Sequence, residues 1–263
     1  MKKTIVAIAC VAALSATFVG CSNPPVSDGS GDTSTTSAPV TEPDGGTGSP
    51  TESQTPAAGT LAISMGELNM LDVHQTDEGA VADAVVQIIN TGDVPLNLDD
   101  GNIKIGDANG NVIVDVSDDS IFIAPSYLDP NCVGFIYTNS SLPLPDGYSA
   151  EDDYRLQGTA TMIPIEGVYE LPLSDIAVDK DGEGVPNMTG TVTNNTDRAF
   201  DIVEIAAVYM DNDDNTLGVA SALVLELGPG ESQEFTIDGH TLPVGCTMAV
   251  ISGYDVIANA PVF

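Results

Sequence analysis

The sequence predicts an all-β protein built from two tandem β-sandwich domains. Three observations predict it. Apolar and polar residues alternate with the period of two that a strand requires. Clusters of Asp, Asn, Gly and Pro punctuate those runs at short intervals. An internal repeat divides residues 60–263 into two copies.

The chain begins with Lys2 and Lys3, an apolar run over residues 5–14, a few small residues and then Cys21. That is the layout of a secretory leader. The apolar run falls short of the roughly 20 residues that a spanning helix needs. Phe18-Val19-Gly20-Cys21 resembles a bacterial lipobox, with Phe18 where that signal prefers leucine. The resemblance implies a leader of residues 1–20, a lipid on the Cys21 sulfur, and anchoring at the extracytoplasmic face of the bacterial cell membrane. Ordinary secretory cleavage, after Ala16 for instance, is the alternative.

Residues 21–59 are expected to hold the lipidated cysteine and a tether. Ser, Thr, Pro and Gly fill 26 of the 38 positions from 22 to 59, and the segment has no aromatic residue, Lys or Arg. Such a composition buries too little apolar surface to offset the entropy of ordering, so the sequence predicts disorder here.

The charge is extreme: 39 acidic and 6 basic residues give a net −33. Removing Lys2 and Lys3 with the leader leaves 4 cations against 39 acids, or −35. The remaining cations are Lys104, Arg155, Lys180 and Arg198. Affinity for nucleic acid comes chiefly from Lys and Arg neutralising phosphates, so nucleic-acid binding is excluded. A solubilising surface, or attraction for cations or a basic partner, accounts for the acidity.

The two copies are placed at 60–166 and 167–263. Asp72-Val73 through Asn90-Thr91-Gly92-Asp93 parallels Asp175-Ile176 through Asn194-Asn195-Thr196-Asp197. Residues 94–113 then align with 198–217 without a gap, Leu128-Asp129-Pro130-Asn131 with Leu227-Gly228-Pro229-Gly230, and Leu142-Pro143 with Leu242-Pro243. The first copy carries insertions before the proline turn and before its last strand. In the first copy Val86, Ile88 and Asn90 oppose Val85, Gln87 and Ile89. In the second, Met188, Gly190 and Val192 point inward against Thr189, Thr191 and Thr193, and Leu223, Leu225 and Leu227 are expected to share a face. About seven short strands per hundred residues argue a sandwich.

The second copy resembles an FxLYD-type domain, an immunoglobulin-like module of bacterial and archaeal surface proteins. The residues are Gly190-Thr191-Val192-Thr193-Asn194, then Phe200 with Tyr209 and Asp211, then Leu227-Gly228-Pro229-Gly230-Glu231 with Phe235. Met210 separates the tyrosine from the aspartate. The first copy is a weaker match, with Leu96 for the phenylalanine, Ile105-Gly106-Asp107 for the middle motif, and Asn131 in place of the turn glycine. What the resemblance implies is two tandem immunoglobulin-like β-sandwiches with no shared catalytic site.

Enzyme chemistry finds no foothold in the sequence. His74 and His240, the two histidines, are expected in exposed loops, neither with a second histidine, serine or cysteine at triad or zinc spacing. No cofactor motif occurs. Calcium is the sharper question, because Asp211-x-Asp213-x-Asn215 and Asp107-x-Asn109-x-Asn111 both mimic the first three ligands of an EF-hand loop. Position six should be glycine and is Thr216 or Val112; position twelve should be glutamate and is Ala222 or Asp118. These six residues are therefore expected to form hairpin turns, with weak calcium binding the alternative. With no Trp, sugar stacking would fall to Tyr127, Tyr148 and Tyr154 in the first copy's insertions, and packing is the preferred role for each.

Cys132 and Cys246 lie in different copies, 114 residues apart. Cys132 is expected to open the strand after the 128–131 turn, and Cys246 the last strand, both at the domain junction. A disulfide between them suits an oxidising compartment, and two unpaired packed thiols are the alternative. The reading that results is a non-catalytic, lipid-anchored surface protein whose partners are the membrane, through its lipid, and an unknown envelope protein. Two alternatives stand beside it: a weak calcium or small-ligand binding module, and an accessory subunit of a membrane transporter or wall enzyme.

Overall fold

A computed structural model describes residues 59–117, 119–243 and 245–263. The expected leader, Cys21 and the expected tether to residue 58, together with Asp118 and Val244, lie outside the described residues. The protein is all-β. Its strands form four antiparallel sheets that pair off into two sandwiches.

In the first sandwich one sheet is centred on β3 (Gly79–Asn90), flanked on one side by β1 (Ile63–Met65) and β2 (Met70–Thr76). On its other side lie β8 (Val133–Thr138) and β9 (Leu142–Pro143), with β6 (Ile121–Ala124) beyond β8. The facing sheet is centred on β4 (Leu96–Asp107), between β10 (Tyr154–Pro164) on one side and β5 (Val112–Val116) and β7 (Tyr127–Leu128) on the other. The core between them holds Val86, Ile88, Leu96, Ile103, Ile105, Leu128 and Ile136, all inaccessible to solvent.

The second sandwich stacks β12 (Leu173–Lys180), β13 (Pro186–Thr193) and β16 (Ser232–Asp238) against a sheet ordered β11 (Gly167–Glu170), β17 (Gly253–Val262), β14 (Phe200–Met210), β15 (Thr216–Leu227). Met188, Val192, Ile205, Tyr209 and Ile237 fill its core. Leu227 joins that core while Leu223 and Leu225 are exposed, so the three leucines do not share a face. Glu226 takes a left-handed φ of 57° and breaks the alternation just before Leu227.

The sandwiches meet through a third buried cluster. Val85, Phe135 and Tyr137 stand on the outer face of the β3–β8 sheet and pack, with Ala124, against Ala206, Val208 and Val219 of the β14–β15 sheet. The connection is taut: the Ile165 amide donates to the Pro95 carbonyl and the Glu166 amide to the Val262 carbonyl. Each residue of the connection is thus tied to a different sandwich.

This packing corrects the expected cysteine bridge. Cys246 carries a free, buried thiol in the core of the second sandwich, whereas Cys132 packs in the core of the first. The two domains meet along sheet faces rather than at the ends where those residues lie. Cys246 also does not open the last strand, which starts only at Gly253. Burial pushes its thiol up to about 12, so it is inert.

Candidate functional site

The two EF-hand-like stretches are the same hairpin turn in two copies, one joining β4 to β5 and the other β14 to β15. In the first, the Asp107 carboxylate accepts from the amides of Asn109 (2.9 Å) and Asn111 (2.8 Å) and from the Asn111 side chain (2.9 Å). In the second, Asp211 accepts from the amides of Asp213 (2.8 Å) and Asn215 (2.9 Å) and from the Asn215 side chain. The Asn111 and Asn215 side chains are the main reason that both carboxyls sit below the ordinary range. These oxygens are engaged in closing the turn, which is the hairpin role of Asp and Asn.

The aromatic residues of the insertions pack. Tyr127 is buried beside Phe263, with ring centroids 6.2 Å apart. Tyr154 lies 6.4 Å from Tyr148 and donates its hydroxyl to the Ser149 carbonyl at 2.7 Å.

The histidines separate into two cases. His240 follows Asp238 at the start of a short 3-10 turn and places Nε2 3.2 Å from Asp181 Oδ2, at the surface. His74 is not in a loop. It lies on β2, its side chain 28% exposed, in a register where Asp72 faces Asp83 directly across β2 and β3. Asp72 and His74 are two residues apart and so project from the same face. Nδ1 of His74 stands 3.7 Å from Asp83 Oδ2 and 4.0 Å from Asp72 Oδ2. Asp83 is 2% exposed, and its Oδ1 accepts a 2.8 Å hydrogen bond from Ser141 Oγ. One ligand atom from each of the three residues lies within 4.8 Å of the others. Asp83 was not legible in the sequence as a neighbour of His74 because the two meet only through strand pairing. The Asp-x-His spacing of Asp72 and His74 was the available signal.

The domain junction holds a strongly perturbed carboxyl. Glu204, on β14, is buried and accepts from the Ser126 amide (2.6 Å) and the Ser126 hydroxyl (2.8 Å) through Oε2. Burial pushes it up to about 7 despite those two donors. Nearby the Tyr137 hydroxyl pairs with Ser221 Oγ at 3.2 Å, and Asn259 Nδ2 donates to the Tyr127 carbonyl at 2.9 Å. These polar contacts run from one sandwich to the other. The protonation state of a carboxyl so placed bears on the stability of the junction.

The sequence matches no protein-family model, and no curated protein matches it. Among the described residues, no helix is long and apolar enough to cross a membrane.

Proposed function

We propose that this chain is a non-catalytic, lipid-anchored protein of the bacterial cell surface that presents two immunoglobulin-like, FxLYD-type domains to another protein of the envelope. The observation that supports it best is the pair Leu223 and Leu225, 58% and 57% exposed on the outer face of β15. Two large apolar side chains side by side in water suit a protein contact. β15 ends its sheet, and its outer edge pairs with no strand among the described residues. A partner segment can therefore add there by strand pairing. Docking on a transporter or wall enzyme is the narrower form of the same reading. The calcium alternative has weaker support, because Asp107 and Asp211 direct their oxygens at their own turns.

Two variants test the two halves of this reading. Cys21→Ala should move the chain from the detergent phase to the aqueous phase; a variant still in detergent at the processed wild-type mass overturns the lipid anchor. Leu223→Asp combined with Leu225→Asp should abolish crosslinks to envelope proteins on intact cells without changing the circular dichroism. Undiminished crosslinks overturn the contact, and the crosslinked protein's identity decides the narrower form.

A further inference from the structure

We propose that Asp72, His74 and Asp83 form a binding site for one divalent transition-metal ion, with Zn²⁺ the best chemical fit. Three features of the geometry carry this. Asp72 and Asp83 are opposed across β2 and β3, and like charges at that position repel unless a cation lies between them. His74 brings Nδ1 into the same space, and that atom is buried without a hydrogen-bond partner. Its separations from the two carboxylates, 3.7 and 4.0 Å, are too long for hydrogen bonds. They approach the roughly 3.3 Å between ligand atoms on a tetrahedral ion with bonds of about 2.0–2.1 Å, so small side-chain rotations close the site.

The surroundings support the assignment. Ser141 Oγ holds Oδ1 of Asp83, leaving Oδ2 toward His74, the kind of outer contact that orients a carboxylate ligand. One imidazole and two carboxylates suit zinc and its neighbours better than calcium, which takes six to eight oxygens. The partial exposure of His74 and Asp72 gives the ion a way in. Three protein ligands leave a fourth position for water or for a group from a partner.

The test uses the full chain, purified in detergent, stripped with a chelator and titrated with ZnCl₂ by calorimetry in excess calcium. One ion per chain is expected. His74→Gln and Asp72→Asn both change partly exposed side chains, and each should weaken binding at least about 10-fold while circular dichroism stays unchanged. His240→Gln should leave the affinity as it is. A wild-type chain that takes up no zinc, or one whose affinity survives His74→Gln, overturns the site.

Discussion

The stretch that follows the β4–β5 turn differs from the one that follows the β14–β15 turn. In the second, β15 runs unbroken from Thr216 to Leu227 along β14. In the first, the corresponding path leaves the β4 sheet after β5, crosses to pair with β8 as β6, and returns as β7. The detour contributes Ala124 to the shared cluster and Ser126 to Glu204. One copy thus keeps a plain edge strand, and the other uses extra residues to add Ala124 and Ser126 to a packing surface made mainly by β3 and β8. The insertion supplements a junction whose buried centre is Val85, Phe135 and Tyr137 against Ala206, Val208 and Val219.

The largest effect should come from what the copies share. Asn90 and Asn194 are fully buried and sit at equivalent strand ends. Asn90 donates to the carbonyls of Val94 and Leu128, and Asn194 to those of Arg198 and Leu227. Alanine at either position strands those carbonyls at about 1–3 kcal/mol per buried group, so each variant should lose about 3 kcal/mol in urea denaturation. A loss in only one of them would show that the copies no longer rely on the same tie.

The junction gives the next effect. Glu204 is raised in the folded state, so its protonation stabilises the fold fully below its ordinary value and that contribution fades as pH rises through about 7. Up to about 3 kcal/mol should be lost across that window, and Glu204→Gln should flatten the slope. An equal slope in wild type and variant would place the titrating group elsewhere. Ser126→Ala removes one of two donors to a charged acceptor and should cost about 1.5–2 kcal/mol at pH 8. No loss would mean that the detour is dispensable to the junction.

The smallest effect concerns the hairpin turns. Gly110 adopts φ 86° in the first copy, where the second has Asp214 at φ 60°. Glycine bears that conformation without steric cost. Asp214→Gly should therefore stabilise the chain by about 0.5 kcal/mol, and a lower melting temperature would refute the equivalence of the turns.

Much of the fold was legible because its signals are local. The alternation of Met188, Gly190 and Val192 matches their burial. The aligned proline turns place Asn131 and Gly230 in the same left-handed conformation, φ 68° and 73°, so the residue that breaks the glycine pattern is one of the few other types that tolerate it. What was missed depends on pairs distant in sequence. β14 reads Ile-Val-Glu-Ile-Ala-Ala-Val-Tyr-Met, apolar on both faces, and that is the mark of a strand covered on both sides. Ala206 and Val208 are covered by the other sandwich, a contact that no local pattern encodes. The Cys132–Cys246 bridge failed for the same reason, since it assumed an end-to-end junction. His74 was misjudged because its loop-like neighbours Asp77-Glu78-Gly79 start only after β2 ends.

The taut connection at Ile165 and Glu166 bears on recognition. With each amide fastened to a different sandwich, and Glu204 held across the interface, the two domains form one preset outline. A partner that touches both then meets a shape already assembled, and loses little orientational entropy in closing on it. For a partner that touched both, the angle between the sandwiches would count beside the residues on either one.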